Sequence, residues 1–374
     1  RPIPPAPGSE QAAHMHPDTH ALLTLVLAGG PAAPRHALAA YPGGPAAALA
    51  AGPPLWRALG SPVQQQHQLA QPDPQRLADA RKWLAQPGHH LLGLADPQLP
   101  PALRELPDPP VALFVHGDPA ALWRPAIAVV GSRSPTPAGR ALASRFSTAF
   151  AEAGVAVLSG LASGIDAAAH VAALDHGGCT VAVIATGPDR CYPDTHERLQ
   201  ARIAHHGAVV SEYPPGTAAR PGQFPARNRL VAGLSLVTLV VEAAYRSGAL
   251  ITARLAAEAG REVCALPGSV NNPRARGCHR LIREGAALVE TPQEVLALLA
   301  PGLAHALPAL QNALQAPIQG GPEVTLPPAL AAEPDYQCLW NALDHDPIPM
   351  DSVITRCGLT AARLSSMLLA MELA

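Results

Sequence analysis

Between residues 126 and 299, short β-branched or small apolar runs recur, each separated from the next by a stretch of helical periodicity. They are Ile127 to Val130, Val155 to Leu158, Val181 to Ala185, Ala208 to Val210, Leu236 to Val241, Val263 to Leu266 and Ala286 to Val289. That alternation predicts an α/β fold: a Rossmann-like parallel sheet with crossover helices. Runs that are apolar at nearly every position predict strands buried on both faces. The first crossover has readable ends, with Thr136 as N-cap, Pro137 at the first position and Gly154 as the stop. Leu142, Phe146, Ala149, Phe150 and Ala153 fall on its apolar face.

The chain has 374 residues, which at roughly 100 to 200 residues per domain allows two or three domains. Residues 1–20 read as a disordered, Pro- and His-rich lead-in, and 21–86 as a small helical domain. Residues 87–125 read as a Pro-dense connector with one strand at Val111 to Val115, leading into the core at 126–299. A linker rich in Pro, Ala and Gln follows at 300–332, then three helical patterns in 333–374 with a break at Gly358, a helix-turn-helix layout.

Charged residues make up 14% of the chain against an ordinary ~25%, and the formal net charge is −2. Any polyanionic partner must therefore be held by locally placed cations. Those cations are arginines, because Lys82 is the only lysine. The six cysteines show no metal-binding spacing, and most sit in apolar or glycine-rich runs as reduced thiols do, so a cytoplasmic setting is expected. No apolar run has the ~18 residues of a membrane span, and neither a metal nor a cofactor is expected.

Ligands of open parallel sheets bind beyond the carboxyl ends of the strands. Here those ends carry Gly131-Ser132-Arg133, Ser159-Gly160, Thr186-Gly187, Ser211-Glu212, Glu242 and Pro267-Gly268-Ser269. Glycines let an anion reach the backbone, while hydroxyls, amides and helix N-termini attract it, so the rim reads as a phosphate site. A second cluster, Phe224, Arg227, Asn228 and Arg229, is placed just before a helix, and Arg246-Ser247-Gly248 opens another. Arg133, Arg227, Arg229 and Arg246 are thus expected on one edge, enough for more than one phosphate. Phe224 suits either a stacking platform for a base or a core aromatic beneath the loop.

Other chemistries fit less well. The first turn reads GSRSPTPAG and lacks the G-x-G-x-x-G of a dinucleotide site. His170 is read as a packed structural residue, Asp166 as an acid that helps its helix begin, and the pairs His89-His90 and His205-His206 as surface residues.

The segments GSRSPTPAG, SGLASGIDAAAH, TGPDRCYP, SEYPPGT, FPARNRLVAGLS, VVEAAYRSGALITA, LPGS and RGCHRLIREGA, in that order, resemble the bacterial DNA processing protein A family, also called DprA or Smf. Residues 21–86 are more loosely similar to its N-terminal SAM-like segment. Residues 333–374 are similar to its C-terminal winged helix, and a partial one is expected because the chain ends at Ala374 before a β-hairpin wing. The resemblance implies a dimeric, non-enzymatic protein that binds single-stranded DNA, protects it, and helps load RecA recombinase during natural transformation. It implies DNA contacts at Gly131, Ser132, Arg133, Ser159, Gly160, Phe224, Arg227, Asn228, Arg229, Ser247 and Gly248.

The alternative is an enzyme of the phosphoribohydrolase type, with Glu212 and Glu242 as strand-end acids. Its expected carboxylates are replaced by Thr252 and Ala253 in the loop after Ser247.

Overall fold

Side chains alternate along the central strand, Ala126–Val130: Ile127 and Val129 enter one apolar cluster, Ala128 and Val130 another. The protein is seen here as a computed structural model that describes residues 15–303, 334–342 and 350–372. Its strands are β1 (His89–Gly93), β2 (Ala112–Gly117), β3 (Ala126–Val130), β4 (Ala156–Ser159), β5 (Thr180–Ile184), β6 (Ala208–Ser211), β7 (Val237–Val240), β8 (Glu262–Ala265) and β9 (Ala287–Leu288). They form one sheet in the order β1-β2-β6-β5-β4-β3-β7-β8-β9.

From β6 to β9 every pairing is parallel, while β1 and β2 add to the β6 edge antiparallel. Residues 87–125, expected to hold one strand, therefore supply two. The chain leaves β3 toward β4 and leaves β7 toward β8, in opposite directions, although β3 and β7 are neighbours. Such a topological switch opens a crevice beyond the strand ends, where ligands of open parallel sheets bind.

Residues 17–84 form α1 (Pro17–Ala28), α2 (Ala32–Ala39), α3 (Gly44–Ala50), α4 (Gly52–Ala58), α5 (Val63–Ala70) and α6 (Pro74–Leu84). Because α1 begins at Pro17, the disordered lead-in does not extend to residue 20; residues 1–14 lie outside the described residues. Leu23, Leu25, Trp56 and Trp83 of this layer pack with Ala112 and Phe114 of β2. The pair at the start of β1 is not a surface feature either: His89 stacks on Trp83 with ring centroids 4.0 Å apart, and His90 is half-buried. His205 and His206 are exposed, as expected.

A short α7 (Pro101–Arg104) precedes the crossover helices α8 (Pro137–Glu152), α9 (Ile165–Asp175), α10 (Glu197–His206), α11 (Gln223–Leu234), α12 (Gly248–Glu258), α13 (Arg276–Arg283) and α14 (Pro292–Ala297). Helices α8, α9 and α14 cover one sheet face, and α11, α12 and α13 the other. Thr136 caps α8 as predicted, its Oγ1 accepting from the Gly139 amide at 3.0 Å. Phe146 and Phe150 are fully buried, each contributing about 1.5 to 3 kcal/mol. Ala153 departs from the predicted face: it is the C-cap and is exposed.

The described residues divide into two compact units, within Arg1–Ala313 and Leu314–Ala374. The second contains α15 (Pro334–Ala342), α16 (Met350–Cys357) and α17 (Ala361–Glu372), packed on Leu339, Val353, Leu364 and Met367. The linker expected at 300–332 lies outside the described residues from 304 onward.

Candidate nucleic-acid interface

A cavity of about 610 Å³ opens at the β3/β7 switch point. Gly131, Arg133, Gly160, Phe224, Arg227, Asn228, Ser247 and Gly248 all line it, so three turns and one helix converge on one place. Ser132, Ser159 and Arg229 do not line it.

The Phe224 cluster was expected in a loop, but α11 already begins at Gln223. Phe224, Arg227, Asn228 and Val231 follow an i, i+3, i+4, i+7 spacing and share the helix face that lines the cavity. Arg229 falls off that face. Its guanidinium meets Glu212 at 2.6 Å and Asp108 at 3.1 Å, and its side chain is only 14% exposed, so its charge is already spent on acidic partners.

Arg227 is also not the open cation that was expected. It is buried, and its Nη1 donates to the carbonyls of Val183 and, at 2.6 Å, Gly160. Burial lowers its pKa to about 10, against the pull of Asp166. Asp166 is likewise buried, its carboxylate accepting from the amides of Gly160 at 3.1 Å and Ala162 at 3.3 Å. Desolvation raises its pKa, opposed by the Arg227 charge and these amides. Asp166 thus does more than start α9: it sits in the cavity wall opposite a buried arginine. A β-carbon at Gly160 would collide with the Arg227 guanidinium, which is the local reason for glycine there.

The second turn is therefore scaffold. Ser159 is fully buried, with its hydroxyl donating to Val129 O at 2.6 Å. Ser132 is turned to its own loop, its Oγ accepting from Ser134 N and its carbonyl from Ile165 N.

Contact chemistry is concentrated on the other residues. The Arg133 guanidinium lies over the Phe224 ring, 5.3 Å from its centroid, and the Tyr192 ring is 5.3 Å from Phe224 on a tilt of 57°. Phe224 is therefore a half-buried wall aromatic of the cavity, with a cation over its ring and the exposed Tyr192 tilted against it. Tyr192 lies in the turn after β5 and was not singled out from the sequence; its place beyond a strand end was the available signal. Asn228 Oδ1 accepts from Arg227 Nε at 3.2 Å, which leaves its NH₂ as the donor end. Ser247 caps α12, its Oγ accepting from Ala249 N at 3.3 Å, with the exposed Gly248 in the first turn. A cation, two adjoining aromatic rings, a carboxamide donor and a helix N-terminus can together take a phosphate and a neighbouring base.

The two strand-end acids are occupied elsewhere. Glu242 accepts from Thr136 N at 2.9 Å, Thr136 Oγ1 at 2.6 Å and Asn272 Nδ2 at 3.3 Å, while Glu212 holds Arg229. His170 is packed as expected, with Nδ1 2.7 Å from Thr180 Oγ1. Among the described residues no group of His, Cys, Asp and Glu is arranged to hold a metal ion, and no helix is long and apolar enough to cross a membrane.

The family model described as DNA recombination-mediator protein A matches residues 90–300. The chain belongs to this family. A second model, described as the DprA winged helix domain, matches residues 323–374, in line with the helical order of the C-terminal unit. Protein Smf of Escherichia coli K12 is 42% identical over 294 residues, 78% of this chain and 76% of that protein. DNA processing protein DprA of Streptococcus pneumoniae is 48% identical over 195 residues, 52% of this chain and 69% of that one.

The X-ray structure of DNA processing protein A from Streptococcus pneumoniae superposes with a TM-score of 0.66 at 37% identity, covering 74% of this chain and 96% of that one. DNA processing protein A from Helicobacter pylori, whose structure concerns its single-stranded DNA binding mode, gives 0.51 at 32% identity over 54% and 94% of the two chains. The Rossmann-like core expected from the sequence is thus a member of the recombination-mediator family.

Proposed function

We propose that this protein binds single-stranded DNA in the switch-point cavity and acts as a recombination mediator without catalysing a reaction of its own. Arg133 and Gly131 receive a phosphate, Phe224 and Tyr192 offer ring faces to a base, and Asn228, Ser247 and Gly248 add donors. Arg227, Asp166 and Gly160 hold the wall on which these groups sit. The observation that carries this reading is the Arg133–Phe224–Tyr192 cluster lining the cavity, a cation over one ring with a second ring tilted against it. It suits a flexible strand with unstacked bases, and an intact duplex presents no such face. The Helicobacter pylori relative, with its single-stranded DNA binding mode, supports the same assignment.

Within this reading the protein works as a homodimer, shields the strand from nucleases and helps RecA recombinase assemble on it. Binding of a fluorescent oligothymidylate across a salt series tests the core of the proposal. With one open guanidinium in the cavity, the slope of log affinity against log salt for a short strand is expected at about −0.7, the single-strand value for one neutralised phosphate. Arg133→Ala abolishes most of that affinity. Equal affinity for duplex, or unchanged binding by Arg133→Ala, would refute it. RecA filament growth on a long strand with and without the protein, and sedimentation of the free protein, test the loading and dimer assignments.

A further inference from the structure

A second cavity, of about 640 Å³, lies on the other side of the α12 N-terminus and shares Ser247 and Ile251 with the first. It repeats the first cavity's chemistry. The Arg280 guanidinium of α13 lies over the Tyr245 ring at 5.3 Å from its centroid, the same separation as Arg133 over Phe224. Tyr245 is 57% exposed, so beside the Arg280 contact a large part of its ring is open to solvent. Arg246, expected from the sequence to join the first site, lines this second cavity instead and is exposed.

Charge favours the same kind of occupant. Four arginines line the cavity, Arg246, Arg254, Arg261 and Arg280, against two glutamates, Glu262 and Glu284, and with Glu258 paired to Arg254 at its edge one positive charge remains in excess. Arg280 holds Glu284 at 2.7 Å and Arg254 holds Glu258 at 3.7 Å. Both are exposed i, i+4 pairs of small net worth, which a phosphate in the groove displaces at little cost.

We propose that this second cavity is a further nucleotide subsite: the strand held at Arg133 and Phe224 crosses Ser247-Gly248 and lays its next bases on Tyr245 and Arg280. This rests on the proposed single-strand binding in the first cavity and extends its footprint. Tyr245 supplies a ring face, Arg280 and Arg246 supply phosphate contacts, and the amides that open α12 lie at the crossing point between the two platforms.

The experiment compares oligothymidylates of about 4 and about 12 nucleotides, within the ~4 to 16 that a single-strand site of this kind spans. The double variant Tyr245→Ala/Arg280→Ala is expected to bind the short strand as the unaltered protein does and to lose about tenfold for the long one. Its salt slope for the long strand falls in magnitude by about 0.7, one phosphate contact, toward the short-strand value. Tyr245→Phe keeps long-strand affinity, because the ring face remains. A 5-iodouracil in the outer half of the long strand photocrosslinks to Tyr245. Equal loss for both lengths, or loss for neither, overturns the proposal, and loss for neither with a changed oligomeric state assigns the surface to a protein contact. Failure of the first site reads differently: Arg133→Ala then leaves even short-strand binding untouched.

Discussion

Arg227 Nη1 donates to the carbonyl of Gly160 at 2.6 Å, while the amide of the same glycine donates to Asp166. Both backbone groups of Gly160 are consumed inside the protein, and a buried positive charge faces a buried carboxylate across them. The pair of charges is architecture at the floor of the cavity.

Arg227→Ala therefore acts first on stability. It leaves Asp166 without its compensating charge and two carbonyls without a donor, a loss of about 3 to 5 kcal/mol. Urea unfolding followed by circular dichroism measures it. Arg133→Ala, at an exposed position, shifts the same midpoint by no more than about 0.5 kcal/mol. Similar unfolding midpoints for the two variants would contradict the division of roles between these arginines.

In the proposed interface Phe224 and Tyr192 are the ring faces on which bases would stack. Phe224→Ala is expected to lose about 1 to 3 kcal/mol of single-strand affinity, and Tyr192→Phe to lose little. Fluorescence anisotropy with a labelled oligothymidylate reads both, and unaltered affinity in Phe224→Ala would remove the ring from the interface.

His170 makes stability depend on pH. Thr180 Oγ1 donates to Val157 O, so it accepts from His170 Nδ1–H, which leaves Nε2 unprotonated and without a partner among the described residues. Burial, aided by His196 and Arg227, draws the imidazole pKa from 6.5 down to about 3. Between these values the unfolded chain binds a proton that the folded chain refuses. Stability falls as pH drops below about 6.5, by up to ~1.4 kcal/mol per pH unit, until the folded pKa is reached. His170→Leu lacks this portion, and unfolding curves at a series of pH values compare the two slopes.

Glu242 fastens the start of α8 to the end of β7. Thr136 gives both its amide and its hydroxyl to this carboxylate, and a β-carbon at Gly139 would strike it. Gly139→Ala is expected to cost about 1 to 3 kcal/mol by overpacking. Glu242→Gln costs a similar ~1 to 3 kcal/mol through weakened charge-assisted bonds. Thermal melts of both variants test the latch, and an unchanged melt for either would show that this contact does not hold the two elements together.

Much of the sheet was legible because buried parallel strands must be apolar at every position. The runs from Ile127 to Leu266 appear within a residue or two of their predicted ends. β1 escaped notice because HHLLG has no period-two pattern: His89 is held by Trp83 and the strand by pairing with β2. In the site, the glycine and arginine rim was readable from the strand ends alone. What each arginine does was not, because that depends on helix phase. With α11 starting at Gln223, Arg227 turns inward and Arg229 turns toward Glu212, though only two positions separate them. Tyr192 joins Phe224 across more than thirty residues of chain, a meeting that only the tertiary fold creates.

That every basic residue lining the two cavities is an arginine has a practical consequence. The sole side-chain amine, Lys82, is exposed on α6 and lines neither cavity. Succinimide-ester fluorophores or tethers therefore couple at that lysine and at the α-amino group while the guanidinium groups of both cavities stay chemically untouched, so labelling leaves the proposed phosphate contacts intact.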